Sequence, residues 1–305
     1  MTRLFSARWW RPIVFVAALA AAAWTLRGHL PSPADAWDAL RGASPAWLLA
    51  AGGLSMLSMA AFAEQQRHLL SAFGVRMTAR VSLALTYARS AMAASLPAGS
   101  AISAGYAFRQ FRARGAGQAT AGAVIVLSGV ASLAGLALVY MVIEFRWTLW
   151  LLAAVALPLA RISRPAVDAE MPERAGGRVR HTLRLAAAVP PRRWLGVLAI
   201  AALNWLTDLA CLLAAMEAVG LHVPWQSAAI GYLVAQLVRQ IPATPGGVGV
   251  IEAALIVALT TAGAAAAPAT AAVLIYRVLS CWSVLPIGLA CWSALKSRLA
   301  APVVA

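Results

Sequence analysis

The hydrophobic positions of this chain run in long blocks rather than in the stripes of a soluble helix, and short arginine-bearing connections separate them. Uninterrupted apolar stretches occupy residues 12–26, 45–63, 119–143, 147–160, 194–218 and 269–294. A helix crossing a hydrocarbon core of about 30 Å needs roughly 20 residues, so each stretch predicts a span. The first and fourth are short and must snorkel their flanking arginines or thin the bilayer. Two more stretches are equally apolar but broken: residues 81–108 at "SLPAGS" and residues 225–262 at "IPATPGG". Between Pro97 and Arg109 lie only residues 98–108, about 16 Å of helix at 1.5 Å per residue. That is too short to cross, so the first broken segment predicts a re-entrant hairpin. The arms of the second are longer and read either as a hairpin or as two short spans.

The predicted fold is therefore an all-α polytopic membrane protein. It has about six full spans plus two Pro/Gly-broken re-entrant hairpins, or eight spans, in a single transmembrane domain over residues 1–305. Two broken segments of opposed orientation point to an inverted repeat with its site near the bilayer midplane. That expectation rests on topology, since "LPAGS" and "IPATPGG" are the only residue-level echo.

Composition agrees. The chain is 62% hydrophobic and 11% charged, too little polar surface to cover a soluble domain of 305 residues. Its net charge of +15 does not point to nucleic acid, because no separate basic soluble domain exists to hold one. Topology explains the excess. With the amino terminus in the cytoplasm and each broken segment returning to its own face, 19 bases fall inside; only Arg27, Arg41 and Arg146 fall outside. Eight of the inside arginines lie in the loop 161–193, a polar linker with a basic surface for anionic lipid heads as its sharper reading. Both termini are expected in the cytoplasm. The amino-terminal stretch mimics a signal peptide but is read as a retained first span. A preponderance of arginine over lysine, with abundant alanine, suggests a GC-rich bacterial genome, and the expected location is the bacterial inner membrane.

No catalytic chemistry is visible. Cys211, Cys281 and Cys291 lie in apolar runs without metal or disulfide spacing, the four histidines are scattered, and no phosphate loop or nucleophile elbow occurs. We expect no cofactor, no metal and no enzymatic activity.

What polar chemistry exists is inside the apolar blocks. Pro242 and Pro245 remove backbone donors, and Gly246, Gly247 and Gly249 free the backbone to turn, so that a half-helix starts near Val250. Irregular backbone at membrane depth persists only inside protein or beside a water-filled cavity. A helix start there is a place for an anion. Gly246 and Gly247 should hold conformations that a side chain resists, whereas Gly135, in a continuous span, should tolerate one unless a neighbouring helix packs on it. Five ionisable residues, Arg89, Asp208, Arg239, Glu252 and Arg277, stand in apolar context. Each costs roughly 2.5–3.5 kcal/mol to insert and should meet a partner or a cavity. Three cations against two anions leave one positive charge over, which suits a phosphate headgroup bound by guanidinium. Asp208, with Asn204 and Thr207, reads instead as an interhelical hydrogen-bond cluster, and Tyr106, Tyr232 and Tyr276 as packing.

These residues resemble a family. "RQIPATPGGVGVIEAALIVAL", followed by "AAVLIYRVLSCWSVLPIGLA", resembles the carboxy-terminal signature of the lysylphosphatidylglycerol synthase transmembrane, or flippase-like, family. The matching positions are Pro242, Pro245, Gly246, Gly247, Gly249, Glu252, Tyr276, Arg277, Pro286 and Gly288, and the likeness extends over about residues 10–295. The family's earlier motif is reduced here: "LPAGSAISAGYAFR" keeps Pro97 and Gly99 but lacks its Arg and Glu. The resemblance implies a lipid translocator. An aminoacyl transferase domain, which some members carry, is not expected in a chain ending at Ala305.

The functional expectation is a protein that binds and moves an anionic or isoprenoid-linked lipid, through Arg89, Arg239, Glu252, Arg277 and the Pro242–Gly249 break. The alternative is a non-catalytic membrane scaffold for enzymes of lipid or glycan assembly. Expected partners are a membrane lipid, such an enzyme or a second copy of the chain, and no nucleic acid.

Overall fold

The computed structural model describes residues 33–96, 98–144, 186–187, 189–239, 247 and 249–300. Every regular element among them is helical: α1 (Pro33–Arg41), α2 (Pro45–Ala72), α3 (Ala79–Ser95), α4 (Gly99–Arg112), α5 (Gln118–Glu144), α6 (Pro191–Ala218), α7 (Trp225–Arg239), α8 (Val250–Thr261), α9 (Ala266–Arg277) and α10 (Val284–Ala300). A π-helical turn, Val278–Trp282, joins the last two. Among the described residues four segments are long and apolar enough to cross a membrane: Pro45–Ala72, Gln118–Glu144, Pro191–Ala218 and Ala266–Lys296. They coincide with the apolar blocks at 45–63, 119–143, 194–218 and 269–294. The predicted spans 12–26 and 147–160, and most of the loop 161–193, lie outside the described residues.

Both broken segments are pairs of helices. α3 and α4 have 17 and 14 residues, about 25 and 21 Å at 1.5 Å per residue. α7 and α8 have 15 and 12, about 22 and 18 Å. No arm reaches the roughly 30 Å of a hydrocarbon core. α1 was not anticipated; its Arg41 guanidinium lies 5.3 Å from the centre of the Trp37 ring.

The chain divides into two compact units. The first holds described residues 33–51 and 211–279. Here α7 pairs with α8, α8 with α9, and α9 with α1. Gly231 lets α7 and α8 approach: a Cβ there would lie 2.5 Å from the Ala258 Cβ.

The second unit holds described residues in 52–210 and 280–300. α10 packs along α3, α3 folds back on α4, and α4 meets α5. Its apolar core includes Leu69, Leu85, Phe111, Val124 and Val197. Close approach again depends on small residues. A Cβ on Gly288 would lie 2.4 Å from both the Tyr87 carbonyl oxygen and the Ala91 Cβ. A Cβ on Gly135 would lie 2.8 Å from the Ala201 Cβ and 2.9 Å from its carbonyl carbon. Gly135 is therefore no neutral position, because a neighbouring helix does pack on it. Hydrogen bonds stitch the same faces: Ser58 Oγ donates to Asn204 Oδ1 at 3.0 Å, and Trp205 Nε1 to the Ser132 carbonyl at 2.8 Å. Such interhelical bonds and small-residue contacts hold helices together where lipid supplies no hydrophobic drive.

Candidate functional site

In the first unit the carboxy-terminal signature closes on itself. Glu252 lies in the first turn of α8. Its Oε2 accepts the Gly249 N–H at 2.7 Å, and its Oε1 accepts Arg277 Nε at 2.6 Å. The first bond is half a capping box; Gly249 has no side chain to return the other half. Arg277 ends α9 and is 1% exposed. Next to this pair Tyr232 and Tyr276 meet edge to face with ring centres 6.5 Å apart, and Gln236 Nε2 lies 3.2 Å from the Tyr276 hydroxyl.

The start of α8 has an internal anion. The anion expected there is the protein's own Glu252. Both carboxylate oxygens are engaged, one by the backbone and one by guanidinium. The signature's Gly249, Glu252 and Arg277 thus form a clamp that fixes where α8 begins.

The two described glycines of the break take conformations that glycine adopts freely and side chains resist. Gly247 has φ +68° and Gly249 φ +83°, in the left-handed region that side chains resist. A Cβ on Gly247 would also lie 2.5 Å from Ile251 Cδ1 and 3.9 Å from Arg239 Cγ. Pro242, Pro245 and Gly246 lie outside the described residues. Arg239 is exposed rather than buried. It ends α7, where a cation complements the helix dipole and its long stem can lean over the Gly247 turn. The partner of Glu252 is Arg277, not Arg239.

Arg89 belongs to the second unit and has different surroundings. Its Nη1 donates to Gln66 Oε1 at 2.7 Å. Its Nε is buried without a hydrogen-bond partner, as are Gln66 Nε2 and Gln65 Oε1. Gln65 Nε2 donates to the Ser128 carbonyl at 3.0 Å. Gln65 and Gln66 are almost wholly buried. Among the described residues no carboxylate pairs with Arg89. The nearest acid on α2, Glu64, is taken by Arg67 and His68. Arg89 thus stands beside incompletely hydrogen-bonded amides, a polar cluster inside an apolar segment. Gln65 and Gln66 were not anticipated; the signal was two consecutive amides inside a continuing helix.

The Asp208 cluster is realised in part. Asn204 accepts the interhelical bond from Ser58, while Thr207 Oγ1 turns back to carbonyls of its own helix, Leu203 and Asn204. On the connection after α4, burial draws the Arg114 guanidinium below its ordinary arginine range by disfavouring the charged form. Among the described residues no group of His, Cys, Asp and Glu could hold a metal ion.

The second broken segment resumes on a left-handed residue, Gly249, and so does the first, on Ala98 with φ +56°. Gly99 follows, where a Cβ would lie 2.5 Å from the Met92 carbonyl oxygen. Ala98 and Gly249 differ in ψ, +28° and −46°, so the breaks share a positive φ at the helix start and not one turn geometry.

A comparison with curated proteins returned no match. A comparison with family models matched the lysylphosphatidylglycerol synthase TM region over residues 9–288. That range takes in all the described helices apart from most of α10, including both broken pairs and the Glu252–Arg277 clamp. With its spanning helices, the chain is a multi-pass membrane protein, and it belongs to the lysylphosphatidylglycerol synthase transmembrane family.

Proposed function

We propose that this is a lipid-binding protein of the bacterial inner membrane that moves an anionic or isoprenoid-linked lipid between leaflets, without enzymatic activity. Family membership supports a role in lipid modification or transport. The observation that carries the finer reading is Arg89, a guanidinium on the short helix α3 with no carboxylate partner among the described residues and with Gln65 and Gln66 left partly unsatisfied beside it. A phosphate would satisfy the two unpartnered donors, Arg89 Nε and Gln66 Nε2, through charge-assisted hydrogen bonds. In this reading the arms α3–α4 and α7–α8 are re-entrant, both termini face the cytoplasm, and acyl chains stay in the bilayer while the headgroup passes.

The test is the lipid that travels with the protein. Mass spectrometry of lipid retained after purification should show one anionic or isoprenoid-linked species enriched over its share of the membrane. Retained lipid of bulk composition would count against the proposal.

The second reading, a membrane scaffold, draws on the first unit. There the charges of Glu252 and Arg277 satisfy each other, as expected of groups that hold helices in place. A scaffold would retain its partner enzyme on mild solubilisation and show no lipid enrichment.

A further inference from the structure

One end of the first unit is marked by tryptophan. The connection 42–44 joins α1 to α2, and within it the Ser44 N–H donates to the carbonyl of Ala218, the last residue of α6, at 2.7 Å. The short connection 219–224 then leads to Trp225, where α7 starts. The end of α1, the start of α2, the end of α6 and the start of α7 therefore lie at one level. Three exposed tryptophans stand there: Trp37 in α1, Trp47 in the first turn of α2 and Trp225, at 55%, 44% and 52%.

Exposure changes character at this level. Along the helices leading away from it the exposed side chains are apolar: Leu49 on α2, and Ile230, Val234 and Leu237 on one face of α7. At the level and beyond it they include Asp38, Glu217 and His222, the last with 79% of its side chain exposed. A switch from apolar to polar exposure with tryptophans between marks a headgroup boundary.

α1 is the element that this boundary explains. It has nine residues, about 13 Å of helix, and is too short to cross a membrane. Its polar and apolar residues are more sharply segregated than those of the other described helices, the pattern of a helix that lies in the interface. One side packs on α9. The other carries Trp37 and, four residues on, Arg41 with its guanidinium over the indole. An apolar ring with a cation above it suits a boundary where the ring meets acyl chains and the charge meets headgroups. A stable protein interface buries about 800 Å² per partner, more than one face of so short a helix presents.

We infer that α1 is a membrane-surface helix whose Trp37–Arg41 face seats in the headgroup–acyl boundary, level with Trp47 and Trp225. Its partner is the bilayer interface itself, held by burial of the indole and not by recognition of one lipid. Because α1 packs on α9, and α9 ends in Arg277 of the clamp, this mooring sets the depth at which α8 begins. The assignment goes beyond translocation and holds whether or not lipid moves.

The experiment is site-directed spin labelling of the full-length protein in phosphatidylcholine vesicles. The background carries Cys291→Ala, since Cys211 and Cys281 are buried. Labels at Ala34→Cys, Trp37→Cys and Asp38→Cys are compared by their collisions with oxygen, which enters the bilayer, and with a nickel chelate, which stays in water. A label at His222→Cys supplies the aqueous reference. We expect the Trp37 label about 5–10 Å below the phosphates. The Asp38 label should be more open to nickel. The Ala34 label, three residues before an intact Trp37, should also lie in the boundary, and Trp37→Asp should lift it by about 5 Å or more toward water. Phosphatidylglycerol in place of phosphatidylcholine should leave these depths unchanged. Thermal unfolding of each variant shows whether it is folded, and the Ala34 label beside native Trp37 decides the matter whatever the Trp37 variants do. An Ala34 label as open to nickel as the His222 label would overturn the assignment. So would shielding from both reagents, which would mean a protein neighbour, or a depth that requires phosphatidylglycerol, which would mean recognition of an anionic headgroup.

Discussion

Consider Glu252→Ala. The substitution removes the carboxylate that lies 2.6 Å from Arg277 Nε and 2.7 Å from the Gly249 N–H. The Arg277 side chain keeps its charge at 2% exposure. Breaking a buried ion pair from one side typically costs about 3–5 kcal/mol, because the remaining charge stays desolvated. The Glu252 side chain is 14% exposed, so water can partly replace it, which puts the pair near the lower end. Loss of the cap on Gly249 adds about 1 kcal/mol. We expect a total near 4 kcal/mol, measured by unfolding in mixed micelles and followed by circular dichroism. Glu252→Gln with Arg277→Met removes both charges together. That double variant should be more stable than the sum of its single variants implies, by about 1 kcal/mol or more. A cost below about 1 kcal/mol for Glu252→Ala, or strict additivity in the cycle, would mean that the clamp does not hold α8 and that the family signature serves something else.

Gly288→Ala should destabilise the protein by about 1–3 kcal/mol in the same assay, since the Tyr87 backbone, 2.4 Å from the new methyl, cannot yield without moving α3. Ala98→Gly should stabilise by about 1 kcal/mol by relieving a left-handed alanine, while Gly247→Val, at φ +68°, should destabilise by about 1–3 kcal/mol; thermal midpoints of opposite sign check both. A cysteine at Gly176 should react with an impermeant reagent only after cell lysis, above the native-cysteine background; labelling of intact cells would refute the cytoplasmic loop.

Much of the fold was legible because membrane spans are read from the simplest signal a chain has, the length of its apolar runs. The breaks were equally plain: Pro97 with Gly99, and the glycines around Gly247, interrupt the apolar runs, and α4 and α8 start at or just after them. Pairing was not legible. Along the chain Arg239, thirteen residues before Glu252, was the natural partner for it, and only the return of α9 on α8 selects Arg277. Arg239 looked buried because its neighbours are apolar, yet as the last residue of α7 its side chain reaches past the helix. The polar surroundings of Arg89 stayed hidden because "EQQRH" at the end of α2 has the composition of an exposed helix end; whether Gln65 and Gln66 face inward depends on where α3 and α5 pack. Gly288 was matched as a motif residue, but its reason, contact with the α3 backbone, is a property of packing.

The most direct measurement is transfer of fluorescent phosphatidylglycerol between the leaflets of proteoliposomes, scored by dithionite quenching, for the native protein and for Arg89→Gln. We expect transfer by the native protein above that of protein-free vesicles, and loss of most of it in the variant while its thermal midpoint stays within a few degrees. Undiminished transfer by Arg89→Gln would contradict the role given to that guanidinium, and no transfer by the folded native protein, with this lipid and an isoprenoid-linked phosphate alike, would contradict translocation itself.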